Sequence, residues 1–376
     1  MSEIRVDTIS EKTSGSGTTV SNLVNPSNPF RNIIINGDMS IAQRATSSTG
    51  ITADGYYTVD RFNLGIGSFG TWTQSQVADS PAGYGLTKAL KMDCTTAQGS
   101  PGSSALITFD YAIEGQNLQR GMAGTANAQK ICLTFFHKHT KTGINTVELL
   151  DADNNDAVSG SYTQSVSNTW EKATIIFPAK TSGAFGDDNN RSLRVRICLG
   201  AGTDLTSGTL ATTWQSSITN ANRHAGQVNN ADSTSNNFII TGVQLEFGEL
   251  PTDFEHLPND VNLQRCQRYY QQIPNTSSNA WQAFPLWGVN ANVMSSRLQL
   301  PVVMRAAPTG AFVGTRNTDF QVYYNGGNQT LTGEAATDTT DDAVRFNMSS
   351  SGAFAANGAG GLYIDSNGRI TLTAEL

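Results

Sequence analysis

Charge is scarce in this sequence. Asp, Glu, Lys and Arg make up 15% of its 376 residues, where ordinary soluble domains carry roughly 25%, and Ser, Thr, Asn and Gln supply the polarity instead. The net charge is −7, and no run of lysine and arginine offers the basic face that displaces counterions from a phosphate backbone, which argues against a nucleic-acid partner. Long apolar runs are missing as well: no stretch approaches the roughly 18 residues of a membrane-spanning helix, and the first residues contain no apolar core of a signal peptide. Neither membrane insertion nor signal-directed secretion is therefore expected, and a chain made in a cytoplasm would leave by lysis. Cys94, Cys132, Cys198 and Cys266 are far apart and have no partner at the spacings that bind zinc or mark a disulfide framework. Cys132 and Cys198 lie in apolar, strand-like runs and read as small buried hydrophobes.

Signatures of catalysis are equally thin. The sequence has no G-x-S-x-G elbow, no H-E-x-x-H, no Walker loop and no recognisable pair of carboxylates, so no enzyme and no cofactor is expected. Glycosidase carboxylates leave no local motif, which keeps a polysaccharide depolymerase open. His137 and His139, two apart in a strand, share a face and read as surface histidines for want of a third metal ligand. Asp151 to Asp156 is rich in oxygen like a calcium loop but lacks the glycine and distant glutamate of an EF-hand, so a hairpin turn is expected. Asp187 to Asn190 is a weaker version of the same pattern. Arg194 and Arg196 alternate with Leu193, Val195 and Ile197, and so face away from the core, to hold a carboxylate or a sugar or simply to meet water.

Glycine is plentiful, with 36 residues, and turn signals separate many short runs of period two, the mark of an all-β chain. Residues 1–28 form two short strand-like pieces around a Ser/Gly joint, too small to bury a core, with a boundary at Asn25-Pro-Ser-Asn-Pro29. From Phe30 a first domain opens on Ile33-Ile34-Ile35, read as a strand covered on both faces. Tyr57, Val59, Phe62 and Leu64 read as a strand pair, with Asp60 and Arg61 between them as an exposed ion pair that fixes geometry. Strands follow at 86–93, 105–113, 130–139, 145–151, 170–178, 193–199 and 236–247, the last with a bulge at Thr241-Gly242. That number fits a jelly roll of two packed sheets over residues 29–257, with a long polar loop at 200–236.

A short helix is expected over 258–273, capped by Asn259 or Asp260 and stopped by Pro274. Inside it Leu263, Cys266, Tyr270 and Ile273 repeat at 3, 4 and 3, the rhythm of a helix that packs on a partner. They either cover the chain's own edge or meet copies of themselves on a trimer axis. Residues 274–376 read as a small β-sandwich. Its strands fall at 293–303, 310–314, 319–324 and 342–348, ending in a hairpin of 361–365 with 369–372 across Asn367-Gly368. At one tip Tyr323, Tyr324 and Asn325 join aromatic faces to amides, the chemistry that holds sugars, unless the tyrosines pack inward.

The run ITGVQLEFGELPTDFEHLPNDVNLQRCQRYYQ (240–271), with RNIIINGDMSIAQR (31–44), YTVDRF (57–62) and WEKATIIFP (170–178), resembles the β-sandwich module of bacteriophage tail fibre proteins, particularly those of marine phages. The opening MSEIRVDTISEKTSGSG resembles the start of such fibres. The resemblance covers residues 1–273 and implies a homotrimeric virion component. It implies an N-terminal segment (1–28) that attaches to another tail or virion protein, a jelly roll and a helical collar; residues 274–376 match no family pattern, and that terminal β domain is expected to touch a host cell-surface glycan. A virion spacer or head decoration with no receptor contact is the alternative from a purely structural class.

Overall fold

The computed structural model describes residues 30–216, 218–273 and 282–376. The expected attachment segment at 1–28 and the linker at 275–279 lie outside these residues. The described chain is all-β and forms two double-layered sandwiches. The first contains β1 (Ser47–Ile51), β2 (Asn63–Gly67), β3 (Thr71–Val77), β4 (Ala89–Thr96), β5 (Leu106–Glu114) and β6 (Ile131–His139). It continues through β7 (Gly143–Asp151), β8 (Asp156–Gln164), β9 (Glu171–Phe177), β10 (Arg191–Ala201), β11 (Gln215–Ser216) and β12 (Asn237–Phe247), with a one-turn α1 (Thr203–Thr206). Two six-stranded sheets, ordered β1-β3-β4-β12-β6-β9 and β11-β8-β7-β10-β5-β2, face each other as a jelly roll. The alternation that reveals each strand also builds the core: Leu133 and Phe135 of β6, Val195 and Ile197 of β10, and Phe238, Ile240 and Leu245 of β12 all point between the sheets. The bulge expected in β12 is present, because the pairing with β6 slips between Thr241 and Gln244, and Gly242 takes a positive φ there.

Two early expectations are corrected. Ile33, Ile34 and Ile35 are buried but belong to an irregular segment, not a strand. Here asparagine side chains replace the ladder. Asn32 Oδ1 accepts from the amides of Ile34 and Leu245, Asn36 Oδ1 accepts from the amide of Ile41, and Asn36 Nδ2 donates to the carbonyls of Ile41 and Asp60. Gly37 fits where a Cβ would stand 2.0 Å from the carbonyl oxygen of Val243. Nor are Asp60 and Arg61 an exposed local pair, for both are buried and turned to different partners. Asp60 receives hydrogen bonds from Gln43 and lies 3.6 Å from Arg44, and burial raises its carboxyl to about 6 against the pull of Arg44. Arg61, at φ 75°, reaches to the far end of the chain.

The helix also differs from expectation. It is α2 (Asn259–Gln267), preceded by Pro258 with no side-chain cap, and it ends before Tyr270. Tyr270–Ile273 is instead a strand, β13, paired antiparallel with β22 (Arg369–Thr373). Leu263, Cys266, Tyr270 and Ile273 therefore form no single stripe. Cys266 is fully enclosed in the first core and Leu263 packs on it, while Ile273 belongs to the second core and Tyr270 is buried beneath Arg44. Cys266, Tyr270 and Ile273 are buried within the chain, and Leu263 is partly exposed.

The second sandwich sets β13, β22 and β16 (Thr309–Val313) in a three-stranded sheet against a seven-stranded one. The larger sheet comprises β14 (Gln282–Asn290), β15 (Val293–Gln299), β17 (Phe320–Tyr324), β18 (Gly327–Gln329), β19 (Leu331–Thr337), β20 (Ala343–Ser350) and β21 (Ala359–Ile364), in the order β18-β17-β21-β14-β15-β20-β19. The hairpin expected across Asn367-Gly368 is absent. β21 and β22 lie in different sheets, and Asp365 Oδ1 accepts from the amides of Asn367 and Gly368 to redirect the chain.

The two sandwiches are joined through a buried polar knot. Arg61 Nη1 donates to Glu375 Oε2 and its Nη2 to the carbonyl of Ala112, 2.7 Å away, while its guanidinium lies 3.4 Å from the ring centroid of Tyr269. Arg44 Nη2 meets the other oxygen of Glu375 at 3.0 Å and stacks 3.8 Å from the Tyr270 ring. Arg268 grips Glu114 through Nε and Nη2, and Tyr269 Oη donates to the same carboxylate. On the rim, Arg305 donates to the carbonyls of Asn189 and Ala374. Removing one partner of a buried ion pair costs about 3 to 5 kcal/mol because the other charge is left dry and unpaired. Glu375→Gln is accordingly expected to lower the free energy of unfolding by about 3 kcal/mol in urea titrations. An Arg61→Met, Glu375→Met double variant should recover most of that loss, and an unchanged midpoint in Glu375→Gln would show that the knot does not hold the modules together.

Candidate functional site

The sequence-derived candidates in the first sandwich are absorbed by its own packing. His137 and His139 do share a face, but it is the inner one. They stack among Phe135, Tyr162 and Phe238, with His137 Nδ1 2.8 Å from Gln164 Oε1. Burial lowers both imidazoles, His139 well below its usual value, so the surface placement is corrected. Among the described residues no group of three or more His, Cys, Asp and Glu side chains could hold a metal ion. The Asp151–Asp156 turn does gather oxygens around a cation, and that cation is Lys180. Its ammonium lies 3.1 Å from Asp151 Oδ2, contacts Asp156 Oδ2, donates to the carbonyl of Ser182 and is almost wholly buried beside Trp214. Asn189, of the weaker acidic run, donates to the carbonyl of Arg305 and so serves the joint between sandwiches.

Arg194 and Arg196 point outward as their alternation requires, yet they hold carboxylates of neighbouring strands. Arg194 lies 3.3 Å from Asp110, and Arg196 lies 3.2 Å from Glu148. Arg223, from the long loop, closes the ladder with two 2.6 Å bonds to Glu148. Burial pushes the Glu148 carboxyl up, and Arg223 more than offsets it, so the group sits below its usual range. Beside this ladder His224 is buried, with Nδ1 3.0 Å from Thr146 Oγ1. All four cysteines are buried and free.

The second sandwich leaves a different surface. On β17 the alternation FQVYY puts Phe320 and Val322 into the core and Tyr323 onto the outer face, where it is 45% exposed. The turn after it, Asn325-Gly326 with φ 52° and 85°, is the left-handed pair that fits a two-residue hairpin into β18. Of the three expected contacts, Tyr323 is therefore displayed, Asn325 is exposed at the turn, and Tyr324 turns inward to meet Phe354 edge-on at 5.8 Å. Register sets Tyr323 opposite Gly361 on β21, and Gly361 opposite Pro285 on β14. Gly361 lets the ring of Tyr363 lie down along its own strand, 3.1 Å from where a Cβ would stand. The Tyr323 and Tyr363 rings meet edge-on at 6.4 Å.

Two residues along β14, Trp287 stands 44% exposed on the same face. Two strand spacings across and two residues along put the Trp287 and Tyr323 backbones roughly 12 Å apart, with glycines, Ala359 and Pro285 as a low floor between them. The side chains around them are donors and acceptors. The Arg345 guanidinium lies 5.9 Å from the Trp287 ring and is held by Asp338 and Ser295, Ser295 in turn bonds Asn347, and Asn328 bonds Gln321 beside Tyr323. Exposed rings can stack on the apolar face of a sugar while the amides, hydroxyls and guanidinium around them hydrogen-bond its hydroxyls. Sequence reasoning singled out none of Trp287, Tyr363 and Arg345 as a contact. Their exposure follows from strand phase, but their proximity depends on the order β17-β21-β14-β15-β20.

No family model matches the sequence, and the search of curated proteins found no match. Among solved structures, the chain is similar to the enzymatically active domain of bacteriophage CBA120 tailspike protein 4, at 15% identity and a TM-score of 0.29, over 58% of this chain and 22% of that one. It is also similar to TmCBM61 in complex with β-1,4-galactotriose (8% identity, TM-score 0.28, 58% of this chain and 99% of the other). A putative sugar-binding protein from Bacteroides thetaiotaomicron is a third (13% identity, TM-score 0.28, 57% and 99%). The chain thus spans about a fifth of the tailspike domain, and with every TM-score below 0.5 these likenesses assign it no activity.

The buried imidazoles generate a pH dependence of known sign. Burial lowers His224 from 6.5 to about 4, so between those values the unfolded chain takes up a proton that the folded chain refuses. Stability is complete above pH 6.5 and drains as pH falls toward 4. Relative to wild type, His224→Gln should lose about 2 to 3 kcal/mol of the stability difference between pH 7 and pH 4.5, measured by urea unfolding at both. Identical slopes in the two proteins would mean that His224 is protonated in the fold.

Proposed function

We propose that the chain is a receptor-binding appendage of a bacteriophage particle, a tail fibre that holds a host cell-surface glycan on the outer face of its C-terminal sheet. The observation that carries this reading is the pair Trp287 and Tyr323, large rings left nearly half exposed on one sheet face and bordered by hydrogen-bonding side chains. Two such rings on one face, with donors and acceptors beside them, have the chemistry of a sugar-binding surface. The reading also draws on the resemblance of residues 1–273 to tail fibre modules. The action is recognition and not turnover: Asp338, the carboxylate bordering the rings, is engaged by Arg345 at 3.1 Å, whereas glycoside hydrolysis needs two carboxyl groups facing one bond.

A single stacked platform binds weakly. In this reading the chain works as a homotrimer anchored to another virion protein through residues 1–28, and three platforms on one particle convert later contacts into intramolecular ones. The test is adsorption of the purified intact chain to host cells and to a glycan array. Trp287→Ala and Tyr323→Ala should each weaken binding about five- to tenfold, the loss of one stacking contact of roughly 1 kcal/mol, with the melting temperature unchanged. Undiminished adsorption by both variants would remove the site from this face. Release of reducing ends from host polysaccharide would make the chain a depolymerase.

A further inference from the structure

Four asparagines are followed directly by glycine: Asn36, Asn325, Asn357 and Asn367. That dipeptide carries its own chemistry, because the glycine amide nitrogen, with no Cβ beside it to block the approach, can attack the side-chain carbon Cγ of the asparagine. The attack asks two things of the fold. The side-chain amide must be open to water and free to turn, and the backbone N–H must not already be donating.

Three of the four sites fail one of these conditions. Asn36 is buried, its Oδ1 accepts from the amide of Ile41, and its Nδ2 donates to the carbonyls of Ile41 and Asp60. Its Cγ is therefore fixed, and the nitrogen that would leave is tied. Asn357 is exposed, but the Gly358 amide donates to the carbonyl of Ala355 at 3.1 Å. Asn367 is exposed as well, and there the Gly368 amide donates to Asp365 Oδ1 at 3.0 Å, a charged acceptor that opposes loss of the proton more strongly than a carbonyl does.

Asn325 meets both. It and Gly326 are exposed, and no atom lies within 4 Å of where a Gly326 Cβ would stand. Among the described residues neither the Gly326 amide nor the Asn325 side chain has a hydrogen-bond partner. The two residues are the centre of the hairpin between β17 and β18, where Tyr324 pairs with Gly327 and leaves the intervening amide facing water.

We propose that Asn325 is a self-modification site, which the fold leaves to convert spontaneously into a carboxylate while it shields the other three. Hydroxide removes the Gly326 amide proton and the nitrogen bonds to Cγ. The side-chain nitrogen then takes a proton from water and leaves as ammonia, closing a succinimide ring. Water opens that ring. Addition at Cγ restores the main chain and gives aspartate, whereas addition at the backbone carbonyl of residue 325 gives isoaspartate, whose main chain is one methylene longer. Either product puts a negative charge two residues from Tyr323, and the longer main chain no longer fits a two-residue hairpin. The conversion does not depend on what the aromatic face binds and stands or falls without the glycan reading.

The test incubates the intact chain at neutral pH in water enriched in heavy oxygen, so that each conversion leaves a labelled carboxylate, and follows the four sites by peptide mass spectrometry. Asn325 should take up label about tenfold faster than Asn357 or Asn367, the rate cost of holding the attacking nitrogen in a hydrogen bond, and Asn36 should be slowest. A more acidic species in anion exchange should grow at the Asn325 rate and be missing in Asn325→Gln. In guanidinium chloride, where the fold is gone, the four rates should converge. No label at Asn325 in the folded chain, label at Asn357 or Asn367 arriving as fast, or the same ranking in the denatured chain overturns the site.

Discussion

Desolvated charge governs the design of this molecule. Arg61 is removed from water more completely than any ordinary guanidinium, and it persists there because Glu375, 314 residues away in sequence, meets it with a carboxylate. Aromatic rings cover what the carboxylate does not. The positive φ at Arg61 is the strain accepted to aim the side chain at that partner. Once the pair exists, the last residues of the chain cannot leave the first sandwich, and β22, which precedes them, cannot leave β13. Connectivity and electrostatics thus close the same loop, so two sandwiches that share no sheet behave as one assembly.

The runs that carry the resemblance to tail fibre modules take on a physical meaning in this frame. Asn32, Asn36, Asp38 and Asn262 cross-brace the irregular entry segment, and Gln43, Arg44, Asp60, Arg61, Arg268, Tyr269 and Tyr270 build the knot. These are architectural positions. The proposed glycan face, Trp287 and Tyr323, lies outside those runs.

Strands with one wet and one dry face were legible in the sequence, because period two is written directly into runs such as ICLTFFHKH and LRVRICL. Ile33-Ile34-Ile35 misled because apolar content says nothing about where backbone hydrogen bonds go, and here the three amides donate to the Leu245 carbonyl, Asn32 Oδ1 and the Tyr111 hydroxyl in turn. The helical spacing of Leu263 to Ile273 misled for a different reason: β22 competes for residues 270–273 and pairs with all four, a tertiary demand that local periodicity cannot register. His137 and His139 were assigned to one face correctly and to the wrong side, since imidazole polarity predicts water while the Leu133-Phe135 phase predicts core. At the aromatic face, Tyr323 was legible from its turn, whereas Trp287 and Arg345 required a strand order that no local pattern encodes.

The ammonium of Lys180 among the oxygens of Asp151, Asp156 and Ser182 has one more consequence. Many extracellular β-turns of this composition borrow their positive charge from dissolved calcium and loosen when it is scarce. Here the counter-ion is tethered by a covalent stem, so dilution and chelation cannot strip it, and the turn keeps its shape in water of any hardness.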